Sequence, residues 1–133
     1  MYNFQLDHVG IAVSSIATSA PVFCQITGKT LSPIEELAEM DVSVAFVGSI
    51  ELIEPRSHKS PIHKHIEKHG SALHHIAYSV SDIKFTLGNL SKLGFRLIDE
   101  IPRLGARGHQ VAFVHPKDTD GILIELVQQA HNV

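Results

Sequence analysis

The chain has 133 residues, 44% hydrophobic and 19% charged, with 11 Lys+Arg against 14 Asp+Glu and a formal charge of −3 with histidine neutral. Such a mix is that of a folded globular chain, which excludes disordered and fibrous classes. The mildly acidic balance leaves no surplus cation for a phosphate backbone, so no nucleic-acid partner is expected. No apolar run approaches the roughly 20 residues of a membrane-spanning helix, no signal-peptide pattern is present, and Cys24 is the single cysteine. These features predict a cytoplasmic protein in a reducing compartment with no membrane partner.

In chain order, Val9, Ile11 and Val13 alternate as a strand does. Ser15 is placed to cap a helix with Ile16, Ala20, Phe23 and Ile26 on one face and Gly28 just past its end, although Pro21 argues for a kink or a late start. Strand-like segments follow at about 30–37, 42–47 and 49–54. Ser60-Pro61 then opens a short helix carrying Ile62 and Ile66 one turn apart, ended by Gly70. After a second strand around His75 the cycle recurs. Ser81 can cap, Asp82 complements the helix N-terminus, Ile83, Leu87 and Leu90 keep helical spacing, and Gly94 closes the segment. Three further strand-like segments fall at about 95–100, 110–115 and 121–127.

The recurrence extends to identities. Leu6-Asp7-His8-Val9 resembles Leu73-His74-His75-Ile76 at an offset of 67, an offset kept by Val13 and Val80, Ser14 and Ser81, and Ile16 and Ile83. Val44-Ala45-Phe46-Val47 returns unchanged as Val111-Ala112-Phe113-Val114, again 67 residues on. Seven extra residues then intervene, so Ile50-Glu51-Leu52-Ile53 answers to Ile124-Glu125-Leu126-Val127 at an offset of 74. Two related βαβββ modules are therefore predicted, one at about 4–54, a connector at 55–71 and a second module at about 72–128. A module of some 50 residues has too little core to stand alone, so one α+β domain over 1–133 is expected.

A pseudo-twofold relation between modules would bring repeat-equivalent polar residues together across a shared concave surface. His8 and His75 are equivalent first-strand residues, and Glu51 and Glu125 are equivalent last-strand residues flanked by Ile and Leu. A buried carboxylate in such a strand needs a partner. Two imidazoles and two carboxylates satisfy one another through a divalent ion, and mixed N/O ligation suits Zn, Co, Ni, Mn or Fe better than Ca. The competing reading makes His8 and His75 core or rim histidines with both glutamates turned to solvent; four such residues at repeat-equivalent positions favour the metal. His74 falls on the opposite face of its strand. His65 and His69 are four apart on the connecting helix, but beside His58, His63, Lys59, Lys64 and Lys68 they read as a solvated basic face. His109 and His115 flank a strand and His131 lies in the tail. The segment Arg103-Leu104-Gly105-Ala106-Arg107-Gly108 could form an anion-binding nest of backbone amides, or a flexible hairpin; it is no nucleotide-hydrolysis loop, lacking the Gly-Lys-Ser/Thr ending.

Several segments together resemble the methylmalonyl-CoA epimerase family: Leu6-Asp7-His8-Val9-Gly10-Ile11-Ala12-Val13, Ser60-Pro61-Ile62, His74-His75-Ile76-Ala77, Arg96-Leu97-Ile98-Asp99-Glu100, Gly105-Ala106-Arg107-Gly108, His115-Pro116-Lys117 and Gly121-Ile122-Leu123-Ile124-Glu125-Leu126. The pattern of His8, Glu51, His75 and Glu125 alone is shared by the wider vicinal-oxygen-chelate superfamily, which includes glyoxalase I. The resemblance implies a cup-shaped, eight-stranded mixed sheet of two βαβββ modules, a homodimer, an acyl-CoA substrate, and one divalent ion, usually cobalt, with zinc, manganese or nickel as alternatives. Carried over by position, the ligands are His8, His75 and Glu125, with Glu51 fourth. The family's second carboxylate falls on Glu39, but the following Met40-Asp41-Val42 departs from the family pattern and leaves Glu36, Glu39 and Asp41 open. The activity implied is interconversion of the 2R and 2S forms of methylmalonyl-CoA through a metal-stabilised enolate, Glu39 serving one face and Glu125 the other. Coenzyme A phosphates would meet Arg103, Arg107 or Lys117. The alternatives are a glyoxalase I-like lactoylglutathione lyase and a non-catalytic binding or resistance protein of the same fold.

Overall fold

The structure, a computed structural model, describes residues 4–130. Eight strands and three α-helices follow in the order β1 (Gln5–Ala12), α1 (Ile16–Thr27), β2 (Glu35–Leu37), β3 (Val42–Val47), β4 (Ile50–Pro55), α2 (Pro61–His69), β5 (Ala72–Ser79), α3 (Ile83–Lys92), β6 (Arg103–Leu104), β7 (Gln110–Val114) and β8 (Ile124–Gln128). The predicted βαβββ order thus holds in both halves, with α2 as the connector. Of the described residues, 8–74 form one compact unit and 4–7 with 75–130 the other. In the first the strands run β2-β3-β4-β1, with β1 parallel to β4 and the rest antiparallel; in the second they run β6-β7-β8-β5, with β5 parallel to β8. No described helix is long and apolar enough to cross a membrane.

Capping explains the helices. Ser15 Oγ accepts from Thr18 N at 3.2 Å, and Gly28, at φ 71°, donates its N–H to Cys24 O at 2.9 Å in a left-handed turn that favours glycine. Pro21 lies inside α1 without ending it. Ile26, expected on the buried face, is 78% exposed: at 3.6 residues per turn it stands about 80° around the helix from Ile16, and Ile16 and Ala20 carry the burial. In α3 the cap is Asp82 and not Ser81, its Oδ1 accepting from Phe85 N at 3.1 Å. Each module also ties its helix to its last strand, since Ile16 N donates to Glu54 Oε1 at 2.8 Å and Ile83 N to Gln128 Oε1 at 2.9 Å.

Two predicted strands are shorter or absent. Of 30–37 only Glu35–Leu37 pairs regularly, with Leu31 bridging Val47 and Pro33, which has no N–H, between them. Segment 95–100 makes one isolated bridge, Leu97 to Val114, and β6 forms instead at Arg103–Leu104, inside the stretch expected to be a loop. The reason lies in Phe113 of β7: Ile98 N and Asp99 N both turn to Phe113 O, at 2.9 and 3.3 Å, while the Asp99 side chain accepts Phe113 N at 2.9 Å. A carboxylate thus takes the bond that a strand carbonyl would have taken.

The two cores are copies. Val13, Ile16, Ala20, Ala45, Val47 and Leu52 pack in one, and Val80, Ile83, Leu87, Ala112, Val114 and Leu126 in the other. Leu126→Ala, truncating a side chain 1% exposed, should lower the unfolding free energy by about 2–5 kcal/mol, whereas Ile26→Ser should change it by no more than about 0.5 kcal/mol; urea denaturation measures both. At the surface Asp118 Oδ2 accepts from Arg96 N at 2.8 Å and Nε at 3.1 Å, and this hydrogen bonding holds the Asp118 carboxyl below its ordinary range while raising the guanidinium. A lowered carboxyl contributes above its unfolded-state pKa and loses that contribution as pH falls through the folded one. The stability difference between wild type and Asp118→Asn should therefore be present at neutral pH and shrink on acidification, as thermal melts across pH 7 to 3 would record.

Candidate metal centre

Register and alternation decide which side chains share a face. In the first module Gly10 and Phe46 both stand opposite Glu51, so by the two-residue period His8, Phe46 and Glu51 lie on one face of the strands. The other face carries Ile11, Ala45, Val47 and Leu52 and packs on Ile16 and Ala20 of α1. The second module repeats this. Ala77 and Phe113 stand opposite Glu125, which puts His75, Phe113 and Glu125 together, while Ala112, Val114 and Leu126 turn to α3.

Within each module the imidazole and the carboxylate meet. His8 Nε2 lies 3.3 Å from Glu51 Oε1, and His75 Nε2 lies 3.2 Å from Glu125 Oε1. All four residues are buried. A phenylalanine fixes each imidazole at right angles, Phe46 at 5.5 Å and 88° from His8, and Phe113 at 5.7 Å and 87° from His75. The supports of the two phenylalanines differ: Phe46 N donates to Ser32 Oγ at 2.8 Å, and Phe113 N to the Asp99 carboxylate.

The donors fit a divalent ion. With metal–ligand bonds of roughly 2.0–2.2 Å, neighbouring ligand atoms on one ion stand about 3.0–3.5 Å apart, so each Nε2–Oε1 separation matches an edge of a coordination shell. Two neutral imidazoles and two carboxylates balance a 2+ charge, and the set His8, Glu51, His75 and Glu125 could hold a metal ion.

The other sequence candidates divide. Glu36 stands opposite Ser43, itself opposite Glu54, and so lies on the α1 side of the strands, exposed and 3.7 Å from Arg56. Glu39 is exposed in a 3₁₀ turn after β2. Asp41 turns the chain at φ 55° and accepts from Ser57 Oγ. Sequence reasoning missed Glu35, which stands opposite Val44 and therefore on the face of Phe46, Glu51 and His8, half-buried. The signal was the period of two, unreadable in a strand of three residues until its partner was known. Arg103 lies opposite Val111, on the face of Phe113, paired with Asp99. Arg107 and Lys117 are exposed. In the segment read as a nest or a hairpin, the Gly105 N–H donates to His109 O at 2.9 Å.

The remaining histidines make local contacts. His58 Nδ1 and His63 Nε2 are 3.3 Å apart, His65 Nε2 donates to Leu73 O at 3.2 Å and its ring meets those of His69 and His74. His109 Nδ1 accepts from Ala130 N and His115 Nδ1 from Lys117 N. His131 lies outside the described residues.

Known proteins resemble this chain over most of its length. A family profile described as Glyoxalase/Bleomycin resistance protein/Dioxygenase superfamily matches residues 7–113. An uncharacterised Bacillus subtilis protein, YqjC, is 41% identical over 93% of this chain and 91% of its own. Mitochondrial methylmalonyl-CoA epimerase of Dictyostelium discoideum is 35% identical over 94% of this chain and 78% of its own. Among solved structures, a variant of Streptomyces coelicolor methylmalonyl-CoA epimerase in complex with 2-nitronate-propionyl-CoA has a TM-score of 0.89 and 29% identity, covering 95% of this chain and 94% of that one.

Replacing His75 by Ala takes from the buried Glu125 carboxylate the imidazole beside it. In metal-free protein that should lower the unfolding free energy by about 1–3 kcal/mol, and His8→Ala should do the same to Glu51; chemical denaturation in chelator-treated buffer gives the values.

Proposed function

We propose that this chain, which belongs to the methylmalonyl-CoA epimerase family of the Glyoxalase/Bleomycin resistance protein/Dioxygenase superfamily, interconverts the 2R and 2S forms of methylmalonyl-CoA with one divalent ion held by His8, Glu51, His75 and Glu125. As a member of that family it is an isomerase. The observation that carries the reading is the buried His–Glu pair placed at equivalent positions of both modules, in a chain similar over nearly its whole length to epimerases. A homodimer belongs to the same reading and rests on the family resemblance, and a place in the cytoplasm rests on the single cysteine, Cys24.

The reacting carbon of the substrate lies between a thioester and a carboxylate. A bound cobalt, zinc, manganese or nickel ion would supply Lewis acidity to those oxygens. The protein's own task is the proton. Glu125 takes the C2 proton on one face, the C–H electron pair passing into the thioester carbonyl to give an enolate, and a second carboxylic acid delivers a proton to C2 from the other face. In the reverse direction the two exchange roles. Register supports Glu35 as that second group, because it shares the face of His8 and Glu51; Glu39, the position expected from the family pattern, is the alternative. Arg107 and Lys117, both exposed, are proposed to meet the coenzyme A phosphates.

The superfamily's own description also names glyoxalase, whose chemistry moves a proton next to a carbonyl, and this supports a lyase acting on a glutathione hemithioacetal as the second reading. Solvent deuterium exchange separates the two. Purified metal-loaded protein in D2O should incorporate deuterium at C2 of methylmalonyl-CoA, Glu125→Ala should lose it, and Glu35→Gln should slow it by about 10²–10⁴-fold with metal content unchanged. Loss in Glu39→Gln and not in Glu35→Gln moves the second proton transfer to the 3₁₀ turn. Turnover of methylglyoxal plus glutathione without C2 exchange replaces the epimerase by the lyase, and exchange that survives complete removal of metal overturns the role of the ion.

A further inference from the structure

Asp99 takes no part in the proposed proton transfers. Its Oδ2 accepts Phe113 N at 2.9 Å, Arg103 Nε stands 3.0 Å from its Oδ1, and Arg103 Nη2 donates to Oδ2 at 3.4 Å. The Arg103 guanidinium carbon lies 6.0 Å from the centre of the Phe113 ring. Phe113 is therefore held twice, through its backbone N–H by Asp99 and against its ring by Arg103, and that ring stands at right angles to His75 at 5.7 Å. The Asp99 side chain is 11% exposed and that of Arg103 40%.

The repeat gives these contacts a meaning. Ser32 and Asp99 are 67 residues apart, like Phe46 and Phe113 and like His8 and His75, and the side-chain oxygen of each accepts from the N–H of its module's phenylalanine. The first module uses a neutral hydroxyl. The second uses a carboxylate largely withdrawn from water, which demands a cation, and Arg103 answers it with a planar group that also stacks on an aromatic ring. An imidazole needs such a wall, because the torsion that orients it is broad and only packing settles it.

We infer that Arg103 is a positioning residue: with Asp99 it fixes Phe113, and through Phe113 the ring of His75, in place of meeting the phosphates of an acyl-CoA. A guanidinium already committed to Asp99 would have to abandon a largely buried carboxylate to bind a phosphate. The consequence for catalysis rests on the proposed role of His75 as a ligand; the consequence for the His75 ring does not.

The test uses the full chain, metal-free and zinc-loaded, as wild type, Arg103→Met, Arg103→Lys and Asp99→Asn. In Arg103→Met and Asp99→Asn the ring resonances of His75, identified by their loss in His75→Gln, should shift or broaden while those of His8 stay in place, which also reports that the variant is folded. Zinc affinity in competition with a chelator should fall about tenfold, and kcat for C2 exchange should fall by a similar factor at unchanged KM. Arg103→Lys should not restore either, since an ammonium neither forks onto Asp99 nor stacks on Phe113. A raised KM at unchanged kcat, rescued by Arg103→Lys and lost in high salt, would identify a phosphate contact and overturn the inference, as would His75 resonances that do not move. If wild type shows no C2 exchange at all, the epimerase reading fails while the resonances and the zinc affinity still decide this one.

Discussion

A carboxylate in the middle of a β-strand, flanked by branched aliphatic residues, can stay buried only if something close by answers its charge. Glu51 between Ile50 and Leu52, and Glu125 between Ile124 and Leu126, are each buried to within a few per cent. Left alone, such a group costs several kcal/mol in lost solvation. The neighbouring imidazole, 3.2–3.3 Å away, is the immediate answer in each module, and a divalent ion would complete it. Much else follows from this demand. The register of each parallel pair must put histidine and glutamate on one face, and a slip of one residue would drive the carboxylate into the aliphatic layer under the helix and bring Leu52 or Leu126 out. The helices are confined to the opposite face for the same reason.

Most of this was legible in the amino-acid sequence because duplication writes everything twice. A lone histidine or glutamate in a strand is ambiguous, but His8 with His75 and Glu51 with Glu125 keep the same offsets as the apolar residues around them, so the polar pair had to belong to the architecture. Helix boundaries were legible to within a residue, because Ser15, Gly28, Ser60 and Gly70 act through local bonds that depend on no distant partner. Asp82 caps in place of Ser81 for an equally local reason: it stands directly before the first helical residue, extended at φ −141° and ψ 98°, three residues ahead of Phe85 N.

What could not be read is what depends on a partner in another strand. Residues 95–100 have the composition of a strand, yet Asp99 spends its side chain on Phe113 and the regular pairing moves to Arg103–Leu104. Glu35 was indistinguishable from Glu36 until β3 supplied the register; one shares a face with His8 and Glu51 and the other lies on the side of α1. Ile26 fails for a different reason. It satisfies an i, i+3 rule from Phe23, but the stripe that α1 buries is narrow and already filled by Ile16, Ala20, Phe23 and Cys24.

The places where the two modules differ are as informative as those they share. Donors, phenylalanines, helix anchors and aliphatic cores are retained in both, which is what a charge-balanced ion and two closed hydrophobic layers require. Around them the copies diverge in charge. Glu35 stands opposite Val44 and Arg103 opposite Val111, equivalent positions by the offset of 67, so one module places a carboxylate where the other places a guanidinium. Ser32 and Asp99 diverge in the same way. A reaction that removes a proton from one face of a carbon and returns it to the other needs an electrophilic centre indifferent to the two faces, and flanking groups that are not interchangeable. In a duplicated fold, residues kept in both copies can meet the first need and neighbours that drift can meet the second: Arg103 settles on Asp99 and Phe113, while Glu35 keeps the face that its own module shares with Phe46, Glu51 and His8.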